Sequence, residues 1–158
     1  MGIEFLLYVT VFAGCTSPCD PTAGMIDRAQ AAGYEISDLG ELEADNAWSC
    51  GDLNGDERID LCARLVNPNG EWAIGCFVSR GNIYKLEEIG GSEDPSFRNT
   101  TPAALFIGVV KKGTTFPWAS GAAKVSLLRD CVSVGTPESA ASLFCYNGAH
   151  FLELQEGD

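Results

Sequence analysis

The sequence predicts a mainly β fold, a single domain of antiparallel strands and hairpins with at most one or two short helices. A length of 158 residues suits one domain of ordinary size. The hydrophobic content of 46% supplies enough apolar material for a core and excludes intrinsic disorder. The 18 Gly and 7 Pro create many turn positions, which favours short strands over long helices.

The patterning divides the chain into three parts: a leader-like segment over residues 1–15, a tether over 16–24 and a β-rich domain over 25–158. The leader is apolar over 5–13, which is too short for a helix to cross a hydrocarbon core of about 30 Å but has the length of a signal-peptide core. The segment ends with Phe12-Ala13-Gly14-Cys15, which resembles the bacterial lipobox. This resemblance makes Cys15 the candidate lipid acceptor. An ordinary first strand is the alternative for this segment.

Within the domain, a short helix is predicted over 25–32, with Met25, Ile26, Ala29 and Ala32 on one side and Gly33 ending it. Apolar runs separated by turn residues then predict a series of strands. Asn147-Gly148 predicts a two-residue hairpin turn, and the stretch around Phe116 predicts a loop. The predicted strands cover 61–66, 71–79, 82–88, 103–110, 123–128, 131–134, 142–146 and 150–155.

The cysteines indicate an oxidising compartment. Setting aside Cys15 leaves six cysteines, an even number, spread over the chain, with no CxxC pair and no neighbouring histidine that would indicate zinc. We therefore expect disulfides and a secreted or periplasmic location, with buried free thiols of a cytosolic protein as the alternative. The six candidates are Cys19, Cys50, Cys62, Cys76, Cys131 and Cys145.

One pairing follows from local geometry. The runs 61–66 and 71–79 flank the turn Asn67-Pro68-Asn69-Gly70. A three-residue loop over 68–70 puts Cys62 directly opposite Cys76, within disulfide reach. The pairing of the other four cysteines stays open.

Oxygen-bearing side chains alternate in the segment 52–60, which is the pattern that a hard cation needs in a tight loop. Three carboxylates this close repel one another unless an ion lies between them. We therefore predict a Ca²⁺ site of structural rather than catalytic role, with an ion-free Asx-rich turn as the alternative. The predicted ligands are the side chains of Asp52, Asn54, Asp56 and Asp60 and the carbonyl of Arg58.

The segment is not an EF-hand, because the twelfth position from Asp52 is Ala63 rather than Glu. The sequence GDLNGDERIDLCARL instead resembles the calcium loop of FG-GAP or VCBS-type repeats, in which such a loop precedes an apolar strand. The departure is Glu57, where those repeats usually carry Gly. The chain is also similar to small exported bacterial proteins with one such loop, including periplasmic inhibitors and immunity lipoproteins against cell-wall-degrading enzymes.

The net charge of the chain restricts the classes of partner that we expect. With 22 acidic and 10 basic residues the net charge is -12, which removes the counterion-release contribution that nucleic-acid binding needs. The same charge would speed association with a basic protein such as a cell-wall hydrolase. We expect no nucleic acid, and membrane contact only through a lipid anchor.

No catalytic constellation is recognisable in the sequence, so we do not expect an enzyme. His150 has no nucleophile motif near it, and Glu43 with its acidic neighbours reads as a solvated loop. The candidates for partner contact are Phe116 and Trp118, or the acidic stretches 41–45 and 87–88.

The functional expectation is an exported, calcium-stabilised domain that binds another protein, with inhibition of a cell-wall-degrading enzyme as its specific form. The alternative is a structural envelope or extracellular domain that self-assembles, in which calcium is purely structural.

Overall fold

A computed structural model describes residues 19–37, 48–97, 100–101, 104–117, 124–136 and 141–154. Within these residues the chain forms one α-helix, one 3-10 turn and eleven strands. In chain order they are α1 (Ala23–Ala31), β1 (Glu35–Ile36), β2 (Trp48–Gly51), β3 (Asp60–Val66), β4 (Trp72–Arg80), β5 (Ile83–Gly91), the 3-10 turn (Pro95–Phe97), β6 (Phe106–Val110), β7 (Thr115–Pro117), β8 (Lys124–Ser126), β9 (Cys131–Gly135), β10 (Ser142–Tyr146) and β11 (Phe151–Leu154).

The strands form two antiparallel sheets and a small ribbon. The first sheet has the order β1-β3-β4-β5, and β2 pairs with β3 on the same edge as β1. The second sheet has the order β11-β10-β9-β6, and β7 pairs with β8 in a two-stranded ribbon. These pairings confirm the predicted mainly β fold of antiparallel strands with at most one or two short helices, and the described residues contain one α-helix. No helix within the described ranges has the length and apolar character needed to cross a membrane.

The first sheet is covered on both faces. One face contributes Cys62, Ile74 and Val78 to a core shared with the second sheet, which supplies residues such as Val132 and Phe144. The opposite face packs its alternate side chains against the helix. Burial on both faces explains why eight consecutive residues of β4, from Trp72 to Ser79, are buried.

The helix begins at Ala23, two residues before the predicted start, because the Thr22 side chain caps it by accepting from the Met25 N–H. It ends near Gly33, which has φ +84°. Met25 and Ala29 are buried against the sheet. The expected apolar side was too wide, because Ile26 is 41% exposed.

Two turns differ in their fit to the prediction. The β3–β4 hairpin has the predicted register, with Cys62 opposite Cys76 and Val66 opposite Trp72. The β10–β11 hairpin exists, but its turn is centred one residue later than Asn147-Gly148, because the Asn147 N–H bonds to the His150 carbonyl. Gly148, with φ +103°, is the residue that needs the left-handed backbone there.

Three short strands were not predicted. β1 and β2 have two and four residues, and they lie end to end along one edge of β3. The stretch 115–117, predicted as a loop, is a strand that pairs with β8. Strands this short carry too few residues for an alternating pattern, so only their pairing partners define them.

Candidate functional site

The segment 52–60 folds into a closed loop between β2 and β3, held by its own side chains. The Asp52 carboxylate accepts the N–H groups of Gly55 at 2.7 Å, Asp56 at 3.0 Å and Glu57 at 3.1 Å. The Asn54 side-chain oxygen accepts the Asp56 N–H at 2.9 Å. Short acidic and amide side chains that accept nearby main-chain N–H groups are what shape such a turn.

The loop requires a left-handed backbone at two positions. Gly55 has φ +84°, which glycine adopts freely. Glu57 has φ +65° and is the one non-glycine residue with a positive φ among those described. This is the position at which the resemblance expects Gly, so the departure adds backbone strain of about 1 kcal/mol to the loop.

Asp60, the first residue of β3, ends the loop and is fully buried. Its carboxylate accepts the N–H groups of Leu53 at 2.8 Å and Asn54 at 3.2 Å on one oxygen, and that of Ser79 at 2.7 Å on the other. Burial raises the pKa of Asp60 above its ordinary value of 3.8, although these hydrogen bonds favour the ionised form.

Ser79 at the end of β4 joins three loop residues. Besides its N–H bond to Asp60, its hydroxyl donates to the Asp56 carboxylate at 2.8 Å, and its carbonyl accepts from the Asn54 side-chain amide at 2.7 Å. Burial opposes ionisation of Asp56, but hydrogen bonds from Ser79 and from the Arg58 N–H lower the pKa of Asp56.

A second carboxylate ties the loop to the other sheet. Asp130, just before β9, accepts the Asp52 N–H at 3.2 Å, the Lys112 N–H at 2.9 Å and the Lys111 ammonium at 2.8 Å. Burial opposes its ionisation, but these donors outweigh that cost and hold the pKa of Asp130 below 3.8. The close approach depends on Gly51, where a Cβ would lie 2.7 Å from the Asp130 carboxylate.

The predicted calcium ligands therefore lie in one loop, but their carboxylates do not form a ready coordination shell. Within the described residues, no group of three or more His, Cys, Asp or Glu side chains is arranged to hold a metal. The side-chain oxygens of Asp52, Asn54 and Asp56 face main-chain N–H groups inside the loop, where an oxygen can still accept a cation. The oxygen ligands that these residues offer are of the type that Ca²⁺ prefers. In the described structure, however, their side chains are not grouped as a bound ion requires.

The six predicted cysteines form three disulfides: Cys19–Cys50, Cys62–Cys76 and Cys131–Cys145. The pair across the β3–β4 hairpin is the one that the sequence predicted, and both of its residues are fully buried. Three disulfides are typical of proteins from an oxidising, extracellular or periplasmic environment. The bond from Cys19 also ties the described end of the tether segment to β2, so this part of it belongs to the folded domain.

Other predicted residues are spread over the molecule. Phe116 lies in β7, where the structure describes the backbone, while Cys15, Trp118 and the acidic stretch 41–45 fall outside the described residues. The stretch 87–88 belongs to β5, in agreement with the predicted strand over 82–88. His150 is exposed on the β10–β11 turn, with its Nε2 3.3 Å from the Asn147 amide nitrogen.

A second feature, which the sequence did not indicate, lies at the opposite end of β4. Here the turn after β3, the start of β4, the end of β5 with the residues that follow it, and the residue before β1 line a groove of about 310 Å³. We call it the acidic groove; its carboxylates are Glu71, Glu88, Glu93 and Asp94, and its walls include Tyr34 and Trp72. None of the described residues that line it is basic.

Tyr34 reports the electrostatic character of the acidic groove. Partial burial, the nearby charges of Glu88 and Glu71, and a hydrogen bond with Glu88 raise the pKa of Tyr34 above 10.0. Glu71 is bonded to the Asn67 amide at 2.6 Å, which is a neutral partner. Only the fold brings these residues together, because they come from three separate stretches of the chain.

Comparison with known proteins gives no match. No protein-family model fits the chain, and neither a curated protein nor a solved structure is significantly similar to it.

Proposed function

We propose that this chain is an exported domain that binds a basic partner protein through its acidic surface, with a cell-wall-degrading hydrolase as the partner class. The observation that carries the proposal is the acidic groove, which is lined by four acidic residues and by no basic residue among the described lining. A groove of one sign of charge attracts side chains of the opposite sign and accelerates their encounter.

The three disulfides support the location that this function requires. They cross-link β2 to the segment before the helix, β3 to β4, and β9 to β10. A small domain that works in the periplasm or outside the cell gains stability from such cross-links, which form and persist in an oxidising environment. Lipid attachment at Cys15 is the further proposal that would hold the domain at the membrane surface.

The net charge of -12 supports a basic partner over a neutral one. Electrostatic steering raises the association rate of oppositely charged proteins and weakens as salt screens it. The proposal gives the chain the role of a binding protein with no reaction of its own. It predicts that changes which weaken binding to the basic partner also reduce the dependence of that binding on salt concentration.

We also propose that Ca²⁺ binds in the loop 52–60 and stiffens it. The carboxylates of Asp52, Asp56 and Asp60, the Asn54 oxygen and the Arg58 carbonyl would hold the ion. Ca²⁺ would offset the mutual repulsion of the acidic side chains. The loop contacts Ser79 and Asp130, so this stiffening would extend to both sheets.

The test is an inhibition assay with the full oxidised chain. We would measure clearing of a peptidoglycan suspension by a basic muramidase and by a basic amidase, each at low and at high salt. We expect the chain to slow at least one of them at low salt, and to lose most of that effect at high salt.

A matched pair of variants locates the effect. Glu71→Gln with Glu93→Gln removes two charges from the acidic groove, whereas Glu57→Gln with Glu153→Gln removes two exposed charges elsewhere. Inhibition that weakens equally in both pairs would reduce the acidic groove to general charge. No inhibition of either enzyme, together with salt-independent self-association, would favour a self-assembling structural domain.

A further inference from the structure

The outer edge of β5 is open along part of its length. β5 is the last strand of the first sheet, and among the described residues it pairs with β4 alone. In an antiparallel pair, alternate residues turn both main-chain groups either toward the partner strand or away from it. The Tyr84 carbonyl points away from β4, because it accepts from Arg28 Nε at 3.0 Å. Leu86 and Glu88, at the next alternate positions, therefore turn their N–H and C=O groups outward.

A groove of about 440 Å³ runs beside this open edge, between β5 and the second half of the helix. The helix contributes two exposed alanines, Ala31 and Ala32, whose small side chains leave space that a larger residue would fill. The strand contributes Lys85, Leu86 and Glu88, and Arg28 lies at the Tyr84 end. An added strand would have the spacing of neighbouring strands, about 4.8 Å from β5.

The open edge leads directly into the acidic groove, because Glu88 lines both spaces. The bulge at Ile89, where the β4–β5 register shifts, ends the regular part of the edge at this point. A chain lying along Leu86 and Glu88 would thus bring its next side chains beside Glu71, Glu93 and Asp94.

We propose that the open edge of β5 at Leu86–Glu88 and the acidic groove form one docking site for an extended segment of a partner protein that carries Lys or Arg. Main-chain pairing with β5 would supply affinity, and the groove carboxylates would select basic side chains. This proposal deepens the proposed function and depends on it for the identity of the partner.

Charge decides the occupant. A second copy of this chain carries a net charge of -12, and its own β5 presents Glu88, so it would repel the acidic groove. An unpaired strand edge fits an extended segment, because its exposed N–H and C=O groups take the main chain of another strand.

The closing experiment uses the full oxidised chain and three synthetic peptides. The probe is an acetylated, amidated heptapeptide of alternating lysine and valine; the first control has alternate main-chain nitrogens methylated, and the second has glutamate in place of lysine. We would titrate each peptide and follow the backbone amide signals by NMR. We expect the largest shifts at Leu86 and Glu88, at least tenfold weaker binding of the methylated peptide, and no binding of the glutamate peptide.

Two variant pairs separate the parts of the site. Ala31→Leu fills the space beside β5, whereas Gln30→Leu makes the same kind of change on a neighbouring exposed position of the helix. Ala31→Leu should abolish the shifts, and Gln30→Leu should leave them. Glu71→Gln with Glu93→Gln should weaken binding about threefold to tenfold, while Glu57→Gln with Glu153→Gln should change it by less than twofold.

The outcomes separate this inference from the proposed function. Equal binding of the methylated and unmethylated peptides, or shifts confined to other strands, would overturn the docking site at β5. If Ala31→Leu left hydrolase inhibition intact, the docking site would be wrong while the proposed function stood. Peptide binding at β5 without inhibition of any basic hydrolase would support the docking site and overturn the proposed partner class.

Discussion

The two ends of β4 carry acidic clusters that the fold treats in opposite ways. At one end, the carboxylates of the loop 52–60 and of Asp130 accept hydrogen bonds from main-chain N–H groups, and Asp130 also pairs with Lys111. At the other end, the acidic groove leaves Glu88 and Glu71 beside a tyrosine and an asparagine, both of them neutral partners. The acidic residues at the first end therefore hold the fold together, whereas those at the second end are the ones that the proposed function assigns to a partner. The following predictions test that contrast.

The largest expected effect is at the buried carboxylate. Asp60→Ala leaves the N–H groups of Leu53 and Ser79 without an acceptor in the interior. We expect the free energy of unfolding to fall by about 3 kcal/mol, measured by denaturant titration. Glu93→Gln in the acidic groove is the control and should change it by less than about 0.5 kcal/mol. Equal effects would remove the distinction between the two ends.

Asp130→Asn should lower the free energy of unfolding by about 2 kcal/mol. The Asp130 carboxylate is buried and accepts hydrogen bonds from three donors, one of them the Lys111 ammonium, and the substitution weakens these bonds. The pKa of Asp130 is lowered in the folded state. Its contribution to stability is therefore present above the unfolded value of about 3.8 and is lost as the pH falls through the folded pKa.

Acid unfolding of the two proteins measures this contribution. The native chain should lose stability on acidification below about pH 4 more steeply than Asp130→Asn does. Parallel acid profiles would mean that Asp130 carries no titration-linked stability.

Removal of calcium should have an intermediate effect. If Ca²⁺ binds the loop, chelation by EDTA lowers the free energy of unfolding by about 1 to 3 kcal/mol. This range is expected when the Ca²⁺ concentration before chelation is well above the dissociation constant. Asp56→Asn should abolish this dependence on EDTA, whereas Glu153→Gln should retain it. Identical melting curves with and without Ca²⁺ would favour the ion-free turn.

Glu57→Gly should raise stability by about 1 kcal/mol, because glycine adopts φ +65° without strain. Gly55→Ala is the opposite change at φ +84°, with no atom within 4 Å of the new Cβ. It should cost about 1 kcal/mol through the backbone alone. Thermal melting of both variants checks the sign of each effect.

The smallest effect on stability belongs to the acidic groove. Glu71→Gln with Glu93→Gln should leave the free energy of unfolding within about 0.5 kcal/mol of the native value, since both side chains are exposed. The same double variant should slow association with a basic partner and flatten its salt dependence, as stopped-flow mixing can measure. A large loss of stability would show that these carboxylates serve the fold after all.

The sequence by itself determined the fold class, the β3–β4 hairpin with its disulfide and the existence of the loop 52–60. These features depend on residues that are close in the chain, so turn chemistry and alternation are enough to predict them. The register that puts Cys62 opposite Cys76 follows from the loop over 68–70 alone. The same locality explains why Glu57 could be recognised as the residue that departs from Gly.

Only the tertiary structure decided the Cys19–Cys50 pair, the strands β1, β2 and β7, and the acidic groove. Cys19 and Cys50 are 31 residues apart, and many connectivities are compatible with one sequence. The groove joins Tyr34 to Glu71 and Glu93 from separate segments. Asp130 supports the loop from the other sheet, 78 residues beyond Asp52. Such contacts depend on how the sheets pack, and local patterns carry no information about that packing.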